Sequence, residues 1–502
     1  MSSLKNLASQ TIWYGLSSIA ARFISYLQNP IITYLLADTK GQQAVGDFYI
    51  FFAGISLANI VFTYGMETAY FRFSANKEDQ TGLFRTSFGT LLISTICLSI
   101  LFVLFRNPLA ELVHQEAHSE YIIWGVIVVA LDTMSAIPFA RLRHEGRPKK
   151  YAAIRVLGIV LNLILTVVVL YFSQQYVNHH PGAEFSLWFK SHSKGGLLLI
   201  PFMAQSAFTF LLLYAEWKDF KFDIDRDLLR RLWKYGSPMI IVGLGGMINE
   251  TMDRFMLLDC YNGTEAQAKA AVAVYGANYK IAIFITLFIQ AFKMSAEPFF
   301  FKQASEKNAP VTYAIVMKWF VITLCFAFLI SALYLDIWKY MNPSTYWYGL
   351  KVVPILLAAN VCLGIYYNLI VAFKITDNMR TVTYITLAGA TITVLINLSL
   401  IPVYGMMACA WATFICYFVM MILAYFWGQK YFPVPYPVRR ISSYLILIVI
   451  VYALNVLAGH FISSTLIQFI IASAFVIMFA SFVFIKEKDS LIKLPILNRY
   501  FR

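Results

Sequence analysis

The sequence predicts an all-α polytopic membrane protein with about fourteen transmembrane helices. Of the 502 residues, 60% are hydrophobic and only 13% are charged, whereas soluble domains carry about 25% charged residues. Apolar runs of about 20 residues, long enough to cross a bilayer, recur along the chain. Lysine and arginine collect in alternate loops between these runs, as the positive-inside rule requires. Composition, run length and loop charge therefore predict the same fold class.

The apolar runs divide the chain into spans. The first, Ser9–Ala37, is too long for the apolar region of a signal peptide and is interrupted by Arg22, so we expect it to be retained. Six spans are predicted before the basic segment at 218–234, near 9–37, 46–71, 86–105, 121–140, 151–172 and 195–216. Eight are predicted after it, near 235–258, 271–292, 311–334, 349–372, 380–401, 404–427, 441–459 and 463–485.

Loop charge sets the orientation. With the N-terminus inside, the inside segments carry about 27 lysines and arginines and the outside loops about 6. The richest inside segments are Arg141–Lys150 and Lys218–Lys234. This asymmetry predicts that both termini are cytoplasmic. It also assigns the net charge of +14 to membrane orientation rather than to nucleic-acid binding.

The loops and motifs indicate no enzyme. The longest outside segment, Ser173–Lys194, has about 22 residues and leaves no room for a catalytic domain outside the membrane. The sequence contains no Walker A, H-E-x-x-H or G-x-S-x-G motif. Cysteines fall in or at the ends of apolar spans without a C-x-x-C pair, which argues against a disulfide framework or a metal site. We expect no enzymatic activity, no cofactor and no metal.

The stretch Lys234–Cys260 places charges within a span. Glu250, Asp253 and Arg254 interrupt its apolar run, and such charges normally face a bundle interior or a water-filled path. Glu250 and Arg254 have the i,i+4 spacing and order that favour an ion pair within one helix. The charges therefore mark a substrate path, or they form a structural clasp.

Two further basic residues lie deep in predicted spans. Arg22 is near the middle of the first, and Lys280 is near the middle of the eighth. Together with Arg254 they could make a cationic lumen suited to phosphate or carboxylate groups. The alternative is local neutralisation, for example of Lys280 by Glu250 or Asp253.

Asp132 and several tyrosines are the remaining candidates. Asp132 lies mid-span and is a candidate for proton or cation coupling. Most aromatic residues near span ends are typical of an interfacial belt. The tyrosines that we assign to the lumen instead are Tyr275, Tyr279, Tyr366 and Tyr367.

The chain is predicted to have two related parts. The amphipathic segment Asp223–Lys234 separates six spans from eight and is expected to lie along the inner interface as a link. A shift of about 228 positions aligns the span near 46–71 weakly with the span near 271–292. Such an alignment would indicate a parallel repeat. Transporters are often built from such halves.

Several stretches resemble a known family. They are YGSPMIIVGLGGMINETMDRFML at 235–257, VYGANYKIAIFITLFIQAFKMSAEPFFFK at 274–302, PILLAANVCLGIYYNLIVAFKITDN at 354–378 and LINLSLIPVYGMMACAWATFICYFVMMILAYFWGQKYFPVPY at 395–436. Over most of residues 5–440 the chain resembles polysaccharide-export flippases of the Wzx type. These belong to the multidrug/oligosaccharidyl-lipid/polysaccharide (MOP) exporter superfamily.

The resemblance implies an architecture and a substrate. It implies two six-helix lobes, at 1–216 and 235–427, around a central cavity, with the amphipathic linker 217–234 between them. Residues 428–502 would add two helices and a basic cytoplasmic tail. It also implies alternating access for a polyprenyl-pyrophosphate-linked oligosaccharide, whose headgroup Arg22, Arg254 and Lys280 would contact.

The leading hypothesis is a flippase in the bacterial cytoplasmic membrane that carries a lipid-linked sugar intermediate to the outer leaflet, in a pathway such as O-antigen or lipopolysaccharide assembly. Its partners would be the lipid-linked oligosaccharide, membrane lipids and other glycan-assembly membrane proteins. A lipid II flippase is a close alternative. A cation-coupled multidrug exporter of the same superfamily is another, although it would need an acidic lumen and the first span offers Arg22 instead.

Overall fold

The structure is a computed structural model that describes residues 24, 26–74, 80–303, 306, 308–376, 378–462 and 464–492. Every regular element within these residues is helical. Eleven helices there are long and apolar enough to cross a membrane, or twelve if the bent pair Glu265–Ala282 and Phe284–Gln290 forms one broken span. The predicted all-helical membrane fold is therefore confirmed.

The long helices follow in chain order. They are α1 (Thr39–Thr63), α2 (Gln80–Leu104), α3 (Glu120–His144), α4 (Pro148–Val167), α5 (Leu199–Leu212), α6 (Arg226–Cys260), α7 (Glu265–Ala282), α8 (Phe284–Gln303), α9 (Ala309–Leu333), α10 (Val353–Leu369), α11 (Met379–Tyr404), α12 (Met406–Tyr431), α13 (Val438–Phe461) and α14 (Thr465–Ile492). The shorter helical segments are Met66–Ser74, Arg106–Leu112, Glu116–His118, Val168–Phe172, Ser173–His179, Glu184–Ser191, Lys194–Leu197, Tyr214–Trp217, Leu335–Trp338, Lys339–Met341, Ser344–Val352 and Val371–Ile375.

Twelve predicted spans coincide with these candidate spans, counting the broken one. The other two predicted spans are not among the candidate spans, for different reasons. Most of the predicted span at 9–37 lies outside the described residues. The predicted span at 235–258 lies within α6, a 35-residue helix that is missing from the candidates because its charges lower its apolar character. The count of fourteen therefore stays a prediction.

Helix α6 begins earlier than predicted. The side chain of Asp225 accepts hydrogen bonds from the backbone N–H groups of Asp227 (2.8 Å) and Leu228 (3.1 Å), which caps the helix at this point. Leu228 and Leu232, spaced i,i+4, are buried against aromatic residues of the helices before α6. The later part of the predicted linker 217–234 is thus the first part of α6.

The chain forms two compact units. The first comprises Met1–Lys280, Met341–Val352 and Met379–Cys416, and the second comprises Ile281–Tyr340, Val353–Asn378 and Tyr417–Arg502. The predicted lobes at 1–216 and 235–427 and the added segment at 428–502 stay a prediction.

Within the first unit, α6 packs along α11, and α1 packs against α3 and α6. Helices α1 and α7 approach very closely, since a Cβ at Gly46 would lie 2.1 Å from the carbonyl oxygen of Lys269. Glycine is required at this crossing.

Within the second unit, α9 packs against α10, α13 and α14. A buried ion pair joins Lys318 of α9 to Glu487 of α14. Glu487 also accepts a hydrogen bond from Tyr444 (2.8 Å) and pairs with Arg440 (3.3 Å), both on α13. The last two helices are thus tied to α9 by charge as well as by apolar packing.

Candidate functional site

A polar cavity of about 450 Å³ lies within the first unit. Side chains of α1, α3, α4, α5 and the short helix Met66–Ser74 line it, together with Gln28, Asn29, Ile32 and Lys280 at the end of α7. Four of its lining side chains are charged, namely Glu67, Asp132, Arg155 and Lys280. A cavity of this size and polarity inside a bundle of apolar helices is suited to a polar ligand.

Lys280 lies in this cavity as a cation without a close counter-ion. Among the described residues no carboxylate oxygen lies within the 4.0 Å that defines an ion pair with its Nζ atom. The nearest aromatic contact is the ring of Phe52, whose centroid lies 6.0 Å from Nζ. The sequence-based alternative, direct neutralisation of Lys280 by Glu250 or Asp253, is therefore not what the structure shows.

Asp132 also lines the cavity, where its carboxylate accepts a hydrogen bond from the hydroxyl of Ser206 (2.7 Å). The predicted mid-span position of Asp132 is thus adjacent to space that water or a substrate could occupy. This placement is compatible with a coupling role.

Arg155 and Glu67 are two further charged residues of the cavity lining. The guanidinium of Arg155 lies over the rings of Phe139 (4.9 Å) and Tyr151 (5.6 Å). Glu67 forms an ion pair with Arg143 of the basic loop. Both positions depend on the packing of α3 against its neighbours, which no single span reveals.

Uncharged amides complete the lining, and sequence reasoning missed them. Gln28 donates a hydrogen bond to Asn162 (2.7 Å), and Asn29 donates one to Asn342 (3.0 Å). Tyr49 donates a hydrogen bond to the side-chain oxygen of Asn29. The available signal was the presence of several amide side chains within apolar runs, where an unpaired amide is costly.

Arg254 is buried outside this cavity. Its Nη1 atom donates a hydrogen bond to the carbonyl oxygen of Glu250 (2.7 Å) and lies 3.1 Å from Oδ1 of Asp253. The partner of the guanidinium is therefore the carboxylate of Asp253, and the predicted pairing with the carboxylate of Glu250 is wrong. Sequence spacing could not foresee this, because the hydroxyl of Tyr275 on α7 holds the other oxygen of Asp253 (2.6 Å).

The four candidate tyrosines lie elsewhere. Tyr275 is fully buried, and the ring of Tyr279 packs against the guanidinium of Arg254, with 5.1 Å between its centroid and Cζ. In the second unit, the rings of Tyr366 and Tyr367 contact each other, and Nζ of Lys293 lies 4.9 Å from the ring centroid of Tyr367. None of the four lines the polar cavity described above.

The remaining candidate, Arg22, lies outside the described residues. Its predicted place in a cationic lumen stays a prediction.

Helix α6 presents different chemistry on its two sides. Ile248 and Met252 line a second cavity of about 440 Å³, which is almost entirely apolar. Asn249 and Asp253, each one position further along, face α11 and α7 through polar contacts. Asp253 and Arg254 are therefore buried within the first unit, whereas the side chain of Glu250 is exposed.

A cluster of polar contacts lies on the side of the first unit that is predicted to be outside. The buried carboxylate of Asp47 pairs with Lys269 (3.2 Å) and accepts hydrogen bonds from Gln115 (2.8 Å) and Ser193 (3.1 Å). Lys269 also pairs with Glu265 (2.8 Å). We call these five residues the outer cluster.

The basic loop between α3 and α4 carries its own counter-charges on the predicted inner side. Buried Glu216 pairs with Lys150 (2.6 Å) and Arg147 (3.0 Å). Burial alone would raise the pKa of Glu145, but hydrogen bonds from Arg141 and Arg147 outweigh it and the pKa lies below the usual value. Glu145 is therefore ionised at neutral pH, and the ion pairs of Glu145 and Glu216 hold the loop together.

A family profile described as "Polysaccharide biosynthesis protein" matches residues 7–304. Comparison with curated proteins gives no significant match.

The structure is similar to solved membrane transporters. A lipid II flippase MurJ in an inward closed conformation has a TM-score of 0.69 at 14% identity, over 94% of this chain and 99% of that one. An inward-facing multidrug resistance MATE family transporter of the MOP superfamily has a TM-score of 0.59 at 15% identity, over 84% of this chain and 95% of that one. An outward-facing one has 0.58 at 16% identity, over 88% and 96%. At these identities the similarity shows that the chain shares the fold of these transporters.

Proposed function

We propose, from the premise that the chain belongs to the polysaccharide biosynthesis protein family, that it is a flippase for a lipid-linked oligosaccharide. It would carry a polyprenyl phosphate- or pyrophosphate-linked unit from the inner to the outer leaflet of a bacterial cytoplasmic membrane by alternating access. The family and the fold are those of membrane transporters. What we propose in addition is the identity of the substrate.

The observation that carries this proposal is the environment of Lys280. A charged headgroup cannot cross hydrocarbon without a polar path. The cavity around Lys280 supplies that path, with Arg155 as a second cation and with amides that can hydrogen-bond to sugar hydroxyl groups. Because no carboxylate pairs directly with Lys280 in the described structure, its ammonium group is available to a phosphate oxygen.

One observation favours a second function. A cation-coupled multidrug exporter needs acidic groups in its lumen, and the cavity contains Asp132 and Glu67. Glu67 is engaged by Arg143, which leaves Asp132 as the acid available to a cationic drug. The cavity contains two acidic and two basic residues, so its charge is less positive than that of the cationic lumen predicted from the sequence.

The test is a deletion strain complemented with defined variants. Without the gene, lipid-linked oligosaccharide should accumulate in the inner leaflet and surface glycan should be lost. The wild type should restore export, Lys280→Ala should not, and Lys280→Arg should restore part of it because the positive charge remains. The matched control is Lys430→Ala, which removes an exposed lysine at the end of α12.

Each outcome is informative. Full restoration of export by Lys280→Ala, at normal expression, would show that the ammonium group does not contact the substrate. Normal surface glycan in the deletion strain, together with new sensitivity to cationic drugs, would favour the exporter.

A further inference from the structure

Two histidines and a glutamate meet on the side of the first unit that is predicted to be outside. His118 and Glu120 flank the start of α3, and His192 follows the helix Glu184–Ser191. One ligand atom from each of the three lies within 4.8 Å of those from the other two. Nδ1 of His118 is 2.7 Å from Oε1 of Glu120, and Nε2 of His192 is 3.4 Å from the same oxygen.

The second nitrogen of His192 is already held by the protein. Its Nδ1 atom lies 2.8 Å from the carbonyl oxygen of Trp188 and, as the donor of that bond, leaves the lone pair of Nε2 directed toward Glu120. A backbone carbonyl on the far nitrogen is the usual support of a metal-binding imidazole. The ring of Trp188 packs against that of His192, with 4.6 Å between centroids, and fixes its orientation.

We propose that His118, Glu120 and His192 bind a divalent transition-metal ion such as Zn²⁺. Two imidazoles and one carboxylate are a ligand set that Zn²⁺ accepts, with water in the fourth position. With bonds of about 2.0–2.1 Å, tetrahedral ligand atoms are about 3.3 Å apart. The observed separations require only small side-chain rotations to reach that value.

The bound ion would strengthen an existing junction. Glu120 precedes Tyr121 and His192 precedes Ser193, and the backbone N–H of Ser193 donates a hydrogen bond to the hydroxyl of Tyr121 (2.8 Å). The hydroxyl of Ser193 in turn bonds to Asp47 of the outer cluster. Metal binding would therefore fasten the segment that includes Glu184–Ser191 to the start of α3, next to the outer cluster.

The test is Zn²⁺ binding by the purified full-length protein in detergent. After treatment with EDTA and gel filtration, Zn²⁺ is titrated in competition with a chromophoric chelator. We expect one ion per chain, and we expect His192→Ala and Glu120→Gln each to weaken binding by at least about tenfold. Each variant is checked for a monodisperse elution profile and for an unchanged Tm without metal.

Matched controls come from other histidines on the same side. His179→Ala with His180→Ala should leave binding unchanged, and so should His114→Ala, which removes a histidine beside Asp259 (3.0 Å). Co²⁺ bound to the wild type provides a readout that needs no variant, because its visible spectrum reports tetrahedral nitrogen and oxygen ligands. Failure of the wild type to bind Zn²⁺, a spectrum that is not tetrahedral, or loss of binding in the control variants alone would each overturn the proposal.

Discussion

Asp253 and Arg254 form a buried ion pair, and removing one partner should destabilise the protein because the other charge stays buried without a counter-charge. Arg254 is 8% exposed and Asp253 is 2% exposed. Arg254→Met leaves a buried carboxylate without its counter-charge, so we expect a loss of about 3–5 kcal/mol in the free energy of unfolding. The double variant Asp253→Asn with Arg254→Met should recover most of that loss. Thermal unfolding of the purified proteins measures both.

The same variants separate a clasp from a substrate contact. If Arg254 only pairs with Asp253, the double variant should also recover export. Unchanged stability of Arg254→Met, combined with lost export in both variants, would show instead that the guanidinium binds substrate.

Asp132 is suited to a different test, because its carboxylate faces the cavity and keeps one hydrogen bond from Ser206. Asp132→Asn preserves an oxygen acceptor for that bond and removes the titratable charge. If Asp132 carries the coupling proton, export by this variant should no longer depend on an imposed pH gradient. Export by the wild type and by the control variant Asp219→Asn should still depend on it. Transport into vesicles with imposed gradients is the measurement. If export by Asp132→Asn depends on the pH gradient as export by the wild type does, Asp132 does not carry the coupling proton.

At the scale of residues, the sequence predicted which side chains face the interior better than it predicted which atoms are in contact. The depth of Lys280 and Asp132 in apolar runs predicted that they face the interior, and both line the polar cavity. The partner of Arg254 could not be predicted, since the choice between Glu250 and Asp253 depends on Tyr275, which is more than twenty positions away. Local spacing contains no information about such a contact.

At the scale of elements, hydropathy predicted where helices lie, and capping decided where they begin. Helix α6 starts at Arg226 because Asp225 caps it, nine positions before the predicted start of the span at 235. The apolar pair Leu228 and Leu232 then continues the buried stripe of the same helix. A search for apolar runs necessarily excludes a helical segment that is rich in charge.

Helices α13 and α14 depend on a buried charge cluster that the sequence did not reveal. Glu487 is 1% exposed and pairs with Lys318. Glu487→Gln should lower the free energy of unfolding by about 3–5 kcal/mol because Lys318 loses its counter-charge in a buried site. Thermal unfolding and proteolysis of the C-terminal helices measure the effect. Lys488→Gln, at the exposed neighbouring position, is the control. Equal stability of the two variants would contradict the role of the pair.

At the scale of the whole molecule, the predicted all-helical membrane fold and the family resemblance are confirmed, whereas the fourteen spans and the two six-helix lobes stay predictions. The chain has the fold of MurJ with only 14% identity, so few particular residues are needed to specify it. The fold is specified instead by the spacing of apolar runs and of interior polar groups, and this spacing can be read from one sequence. The polar cavity could not be predicted as a whole, because its lining comes from spans as distant as residues 28 and 280.

The outer cluster predicts how access to the polar cavity is controlled in the intact protein. If the ion pair of Asp47 with Lys269 keeps the outer side closed, Asp47→Ala should favour opening. The reporter is Gln205→Cys in the cavity lining, in a chain whose six native cysteines are replaced by serine. A membrane-impermeant maleimide added outside cells should label it about tenfold faster in Asp47→Ala, which corresponds to a shift of about 1.4 kcal/mol. Glu265→Gln, which removes only the exposed partner of Lys269, should change the rate less. Equal labelling of all three chains would mean that the cluster supports the fold without controlling access.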